Sequence, residues 1–185
     1  MQRERFNPER QFVPTTQRNK LVSRTESRAP VPLLLELVAE VFNGKSWHGP
    51  SLRSTVRRVS AAQAGWRPGR GRKCIAEIVL HAAYWKYAAR RRLRGEPRGS
   101  FALKGSNWFT VPAKLGDAQW KEYLKLLDAE HAQLLDAIAE LTPADLLIVP
   151  TGSRVNNAKL VRGIASHDVY HAGQIQTIKR LCPIQ

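Results

Sequence analysis

Two histidines stand four residues apart in His167-Asp168-Val169-Tyr170-His171, inside a segment whose apolar residues recur at helical spacing. Positions i and i+4 of a helix lie one turn apart on one face, so these two imidazoles can converge on a single point. Leu160, Ile164, Ile175 and Ile178 form the apolar stripe of that helix, and His167 and His171 fall within it. They therefore point into a core, where an imidazole costs desolvation unless its nitrogens are satisfied. A transition metal would satisfy both rings at once. Hydrogen bonds to hydroxyls or backbone in an ordinary core would do the same, and two ligands alone do not make a metal site.

His81 is the natural third member. It lies mid-helix, three residues after Ile78 and four before Trp85, so it also faces inward. Two histidines on one helix and one on a neighbour can make a three-nitrogen face that leaves coordination positions open for water or substrate. Imidazole suits Zn, Ni, Fe or Cu, and ligand type alone does not choose among them.

The elements that must position these rings follow from periodicity and breakers. Pro32 to Phe42 reads as a first helix with Leu33, Leu34, Leu37, Val38, Val41 and Phe42 as its stripe, stopped at Asn43-Gly44. After an irregular piece at 45–50, residues 51–64 resume a helical pattern through Leu52, Val56 and Val59. A Pro/Gly loop at 66–72 precedes a helix from Cys74 to Leu93. Residues 95–116 form a long connection, of the kind that is functional or a crossover in a compact domain. Asp117 is a suitable cap for a helix over 118–141, Thr142 to Asp145 starts a short one, and the last helix runs over 157–181 before Pro183. With no strand pattern and no internal repeat, four long helices plus short extra helices give an all-α bundle.

The string His167-Asp168-Val169-Tyr170-His171-Ala172-Gly173-Gln174-Ile175, together with Glu77-Ile78-Val79-Leu80-His81 far upstream, resembles the DinB-like superfamily, the DinB/YfiT-like group of damage-inducible metalloenzymes. The resemblance covers roughly residues 30–182, and Trp47-His48-Gly49-Pro50-Ser51-Leu52 is similar to one subgroup. It implies an up-down-down-up four-helix bundle, a divalent transition metal (Zn, Ni or Fe) on His81, His167 and His171, frequent homodimers and a stress-response setting. Characterised relatives include transferases and isomerases that use low-molecular-weight thiols; others are labelled hydrolases. A metal lowers the pKa of bound water and holds a thiol as thiolate, so thiol transfer and hydrolysis of a small-molecule substrate are two uses of one site.

Several residues are candidates for the surroundings. Glu77, one turn before His81, is a candidate catalytic base or partner for the His81 ring, with a helix-surface acid as the plain alternative. Asp168 projects about 100° from His167 and reads as a salt bridge or subunit contact. Gln174, three residues after His171, is a pocket candidate, as are His48, His131 and Trp85; Trp108 could also line a cavity wall. Loop or core packing is the alternative for each of the last four. Tyr170 reads as packing.

Composition bounds the rest. The 185 residues make one ordinary domain, 43% of them hydrophobic, enough for a core. Lys plus Arg number 30 against 15 acids, a formal net charge of +15. Residues 51–100 alone carry 13 basic and 2 acidic side chains, and Arg90, Arg91, Arg92 and Arg94 crowd one helix end. Part of that is expected at the negative end of a helix dipole. The excess could hold an anionic substrate or thiol cofactor. The rival reading is a non-catalytic basic helical protein that binds nucleic acid or a protein partner, although no RRM, zinc-finger or helix-turn-helix signature is present. Two cysteines cannot build a disulfide scaffold and suit a reducing compartment. The amino-terminal twenty residues lack a signal-type apolar run, and no stretch approaches a membrane span, which reads as a soluble, cytoplasmic protein with no membrane partner. Residues 1–29, polar and aperiodic, read as a flexible, disordered basic tail ahead of a domain over 30–185.

Overall fold

The computed structural model describes residues 30–184; the segment read as a basic tail, 1–29, lies outside the described residues. The described chain is all-α. Four long helices, α1 (Pro30–Asn43), α4 (Ile75–Leu93), α5 (Asp117–Ala139) and α6 (Asn157–Leu181), carry the fold. Two short ones, α2 (Leu52–Thr55) and α3 (Ala61–Gly65), precede α4, and a 3₁₀ turn, Asp145–Leu147, precedes α6. No strand occurs among the described residues, and none of their helices is long and apolar enough to cross a membrane.

In α1, prolines 30 and 32 occupy the first turn, where a missing N–H costs nothing. Val31, Leu34, Val38, Val41 and Phe42 bury one face, while Leu33 and Leu37 stay exposed at its margin. The helix stops at Gly44, whose N–H bonds the Glu40 carbonyl at 2.9 Å. A Cβ there would lie 2.6 Å from the Cα of Glu40, so only glycine permits this closure.

The continuous helix expected over 51–64 is instead α2 and α3 with a break between them. Arg58 adopts a left-handed φ of 60°, which ends the first piece. Ser60 then starts the second with a reciprocal cap: its hydroxyl accepts from the Gln63 N–H at 3.2 Å, and the Gln63 side chain accepts from the Ser60 N–H at 3.0 Å. Leu52, Val56 and Val59 are all buried as the stripe required; the apolar spacing held across the break because both pieces lie on the same core. At α5 the cap position belongs to Gly116, and Asp117 sits in the first turn, where its charge complements the dipole. Asn156 caps α6 by accepting from the Lys159 N–H at 3.0 Å.

Both α1 and α4 pack against both α5 and α6, so the long helices close a ring. Their directions follow from side-chain pairs. Along α4, His81 meets His171 and Lys86 meets Asp168, so α4 and α6 are antiparallel. Arg90 faces Glu130 and Arg94 faces Glu140, so α4 and α5 are parallel. Phe42 stacks on His131 while Val31 and Leu34 join Ile138 in one apolar cluster, so α1 opposes α5. The sense is up-down-down-up. Parallel neighbours need a long crossover, and residues 94–116 supply it.

Candidate metal centre

The antiparallel contact of α4 and α6 brings His81 against His167 and His171 in the bundle interior. The Nε2 of His167 lies 3.1 Å from the Nε2 of His81 and 3.0 Å from the Nε2 of His171. The ligand atoms of all three rings lie within 4.8 Å of one another. His81 and His171 are buried, and His167 is partly so.

The placement of the ring protons decides what this cluster can accept. The Nδ1–H of His81 donates to the carbonyl oxygen of Asn107 at 2.7 Å. That of His171 donates to the side-chain oxygen of Gln174, also at 2.7 Å. In the neutral ring each Nε2 is then a bare lone pair. Two lone pairs converge on His167, whose Nε2 has one proton at most to give. At least one lone pair is left facing another nitrogen, and a cation satisfies all three. Nitrogens bound at about 2.0–2.1 Å to one tetrahedral ion stand about 3.3 Å apart, close to the separations found.

The rings are also held in the ligating form. Burial above all, then the neighbouring imidazoles and Lys86, lowers His167 to about 3. Burial lowers His171 to about 4 against the opposing bond to Gln174. His81 is lowered by burial, with the Asn107 carbonyl opposing and Lys73 assisting. All three are neutral at neutral pH, so a metal need displace no ring charge.

Around the cluster, Trp108 stacks on His81 with ring centres 3.9 Å apart, and Lys73 sits 4.9 Å above the indole. Trp85 meets both His81 and His167 edge-on at 6.3 Å and donates its N–H to the Asn107 side chain at 3.0 Å. Asn107 thus binds a ring with its backbone and an indole with its side chain, in a left-handed conformation of φ 62°. Gln174, a pocket candidate by sequence, is placed as the partner of the His171 ring. Tyr170 is not core packing: it is exposed, and its hydroxyl accepts from the Gln174 amide at 2.9 Å.

Other candidates go elsewhere. The partner of the His81 Nδ1 is the Asn107 carbonyl rather than Glu77. The Glu77 carboxylate accepts from Arg67 and from the Cys74 N–H and lies 3.6 Å from Lys73, which caps α4. Those contacts, led by the Arg67 bond, outweigh its burial and hold it below the usual carboxylate range. His48 is exposed in the loop after α1. His131 is buried against Phe42, ring centres 3.6 Å apart, and burial lowers it to about 3. Neither belongs to the three-imidazole group.

Asp168 forms a salt bridge, the first of its two expected roles, and does so inside the bundle core. It is fully buried and receives Lys86, itself fully buried and 4.8 Å above the Phe42 ring. Burial pushes the Asp168 carboxyl up, with Lys86 opposing. Sequence reading passed over Lys86 and Asn107. The signal for Lys86 was a lone charge in the almost wholly apolar run 78–89; a backbone acceptor such as Asn107 leaves none.

Fold and centre together define an all-α bundle protein whose core carries a three-histidine group able to hold a metal ion. The chain belongs to the DinB superfamily, whose family model matches residues 46–175, a span that includes all three histidines. No curated protein and no solved structure matches the chain.

Proposed function

We propose that this protein is a metal-dependent enzyme acting on a small molecule by thiol transfer or hydrolysis, with His81, His167 and His171 holding a divalent Zn, Ni or Fe ion. The observation that carries it is the convergence of three Nε2 lone pairs, two of them fixed by donation from the opposite ring nitrogen. Three protein ligands leave room for exogenous ones. An ion so held supplies Lewis acidity and lowers the pKa of a water or low-molecular-weight thiol that reaches it.

The chain's own residues set the conditions for that chemistry. Asn107 and Gln174 fix ring tautomers, and Tyr170 in turn holds Gln174. Trp108 covers one face of His81 and keeps water from it. The Lys86–Asp168 pair ties α4 to α6 beside the cluster, fixing the distance between the two helices that carry the rings. Glu77 is the weaker candidate for a base, because its oxygens are engaged by Arg67, Lys73 and the Cys74 N–H. Homodimer formation and a reducing compartment belong to the same proposal; the free, buried Cys74 is compatible with the latter.

The rival, a basic scaffold for nucleic acid, has less support because Arg90 and Arg94 are consumed by internal ion pairs. The test is a pair of assays on zinc- or nickel-loaded protein: consumption of a low-molecular-weight thiol with an aryl halide, and cleavage of an activated ester. At least one should turn over in the wild type and vanish in His171→Ala. Equal background in both proteins would remove the enzyme reading.

A further inference from the structure

Four arginines crowd the end of α4, and the structure divides them. Arg90 bonds Glu96 at 2.7 Å and lies 3.6 Å from Glu130, and Arg94 pairs with Glu140 at 2.6 Å. Arg91 and Arg92 have no carboxylate partner among the described residues. Arg91 donates to the Glu96 carbonyl at 2.9 Å, and the Nε of Arg92 is buried with no protein partner. Both line a cavity of about 680 Å³ between α4 and the crossover that follows it. Arg98 and Lys104 line it as well, and no Asp or Glu does.

Cations gathered around a concavity without a counter-ion repel one another, and an anion relieves them. Burial, followed by the charges of Arg91 and Arg98, draws the Arg92 guanidinium below its ordinary range. Tyr84 and Phe101, edge-on at 5.4 Å, give the cavity an aromatic wall. The Tyr87 hydroxyl accepts from the backbone N–H of Gly99 and Ser100 at 3.1 and 3.2 Å, which pins the loop carrying Arg98. Its remaining wall includes Trp85 and Asn107, the two residues that also contact His81.

We propose that this cavity is an oxyanion subsite: it holds the carboxylate or phosphate of a small organic anion whose remainder extends along Trp85 toward the three histidines. That the subsite serves the histidine centre rests on the enzyme reading above; that it binds an oxyanion does not. Guanidinium forks match either oxyanion by paired donation, and aromatic walls suit an unsaturated or aromatic body. A half-open basin of this size, with its four cations gathered around one concavity, fits one small anion better than a polynucleotide backbone, which needs an extended basic track.

Titration of the full chain with phenyl phosphate and with benzoate, followed by calorimetry and with phenol as the uncharged control, tests this. One equivalent of at least one anion should bind, phenol should not, and binding should weaken about tenfold in Arg92→Gln and in Arg98→Gln. Arg98 is exposed, so its replacement keeps the test valid if the Arg92 variant fails to fold. His171→Ala should lose zinc and keep the anion affinity. Failure of the wild type to bind zinc would sink the enzyme reading and leave the anion result standing. The subsite is overturned if neither anion binds, if phenol binds equally, or if both arginine variants bind as the wild type does. Displacement of phenyl phosphate by a short DNA strand at equal phosphate concentration would also overturn it, marking a polyanion surface.

Discussion

The Nδ1 of His81 donates to the backbone carbonyl of Asn107, 26 residues further along the chain, at 2.7 Å. The crossover that makes α4 and α5 parallel therefore also orients a ring of the candidate centre. Asn107 manages this with a positive φ of 62°, which asparagine tolerates and β-branched residues do not. Asn107→Val should lower zinc affinity by about 10–100-fold, the usual cost of losing a ligand's outer hydrogen bond. Asn107→Gly keeps the turn accessible and should change affinity little. Chelator competition measures both; equal losses would show that the side chain, not the backbone conformation, holds the ring.

Trp108 lies 3.9 Å from His81, so its fluorescence should report on the centre. Cobalt or nickel binding should quench the emission of the wild type strongly; because Trp85 also lies 6.3 Å from His81 and His167, the quenching should fall in Trp108→Phe and be largely lost only when Trp85→Phe is added. Full quenching in the double variant would place the ion away from the three rings.

Lys86 and Asp168 are each fully buried and joined. Removing one partner leaves an uncompensated charge in the core, so Lys86→Met or Asp168→Leu alone should cost ~3–5 kcal/mol of stability. The double variant should recover most of that, since two apolar side chains replace two buried charges. Urea denaturation of the three proteins checks it, and additive losses in the double variant would contradict the pairing.

His131 is buried neutral and titrates near 3, against an ordinary value of 6.5. Its folded pKa is depressed, so between those values the unfolded chain binds the extra proton. The stability tied to His131 is full above about pH 6.5 and lost as pH falls through this window, at up to about 1.4 kcal/mol per pH unit. The raised carboxyls of Glu130 and Asp168 act in the opposite sense. The measurement is therefore the difference between wild type and His131→Leu across pH 7 to 4: the variant should lose less stability on acidification. Parallel curves would mean that His131 is already solvated.

The helices and the meeting of the three imidazoles were legible because both rest on spacing. His167 and His171 sit one turn apart in an apolar stripe, and His81 lies in a helix whose interior positions are almost all apolar. Leu52, Val56 and Val59 were legible as buried but not as two pieces, because the apolar spacing continues across the left-handed turn at Arg58. The salt bridge of Asp168 was legible from its offset of about 100°, but its depth was not, because a helical wheel assigns one inward face, whereas α6 touches both α1 and α4 and buries a wider arc. Asn107 could not be found at all: the group that matters is a backbone carbonyl, and any residue carries one.

The central claim is that three imidazoles hold one ion. Zinc titration of untagged, chelator-treated protein, with elemental analysis of the product, tests it most directly. The wild type should take up about one zinc per chain, and His81→Ala, His167→Ala and His171→Ala should each lose it while keeping their helical circular dichroism. Full zinc retention by any of the three variants, or no uptake by the wild type, would contradict the account.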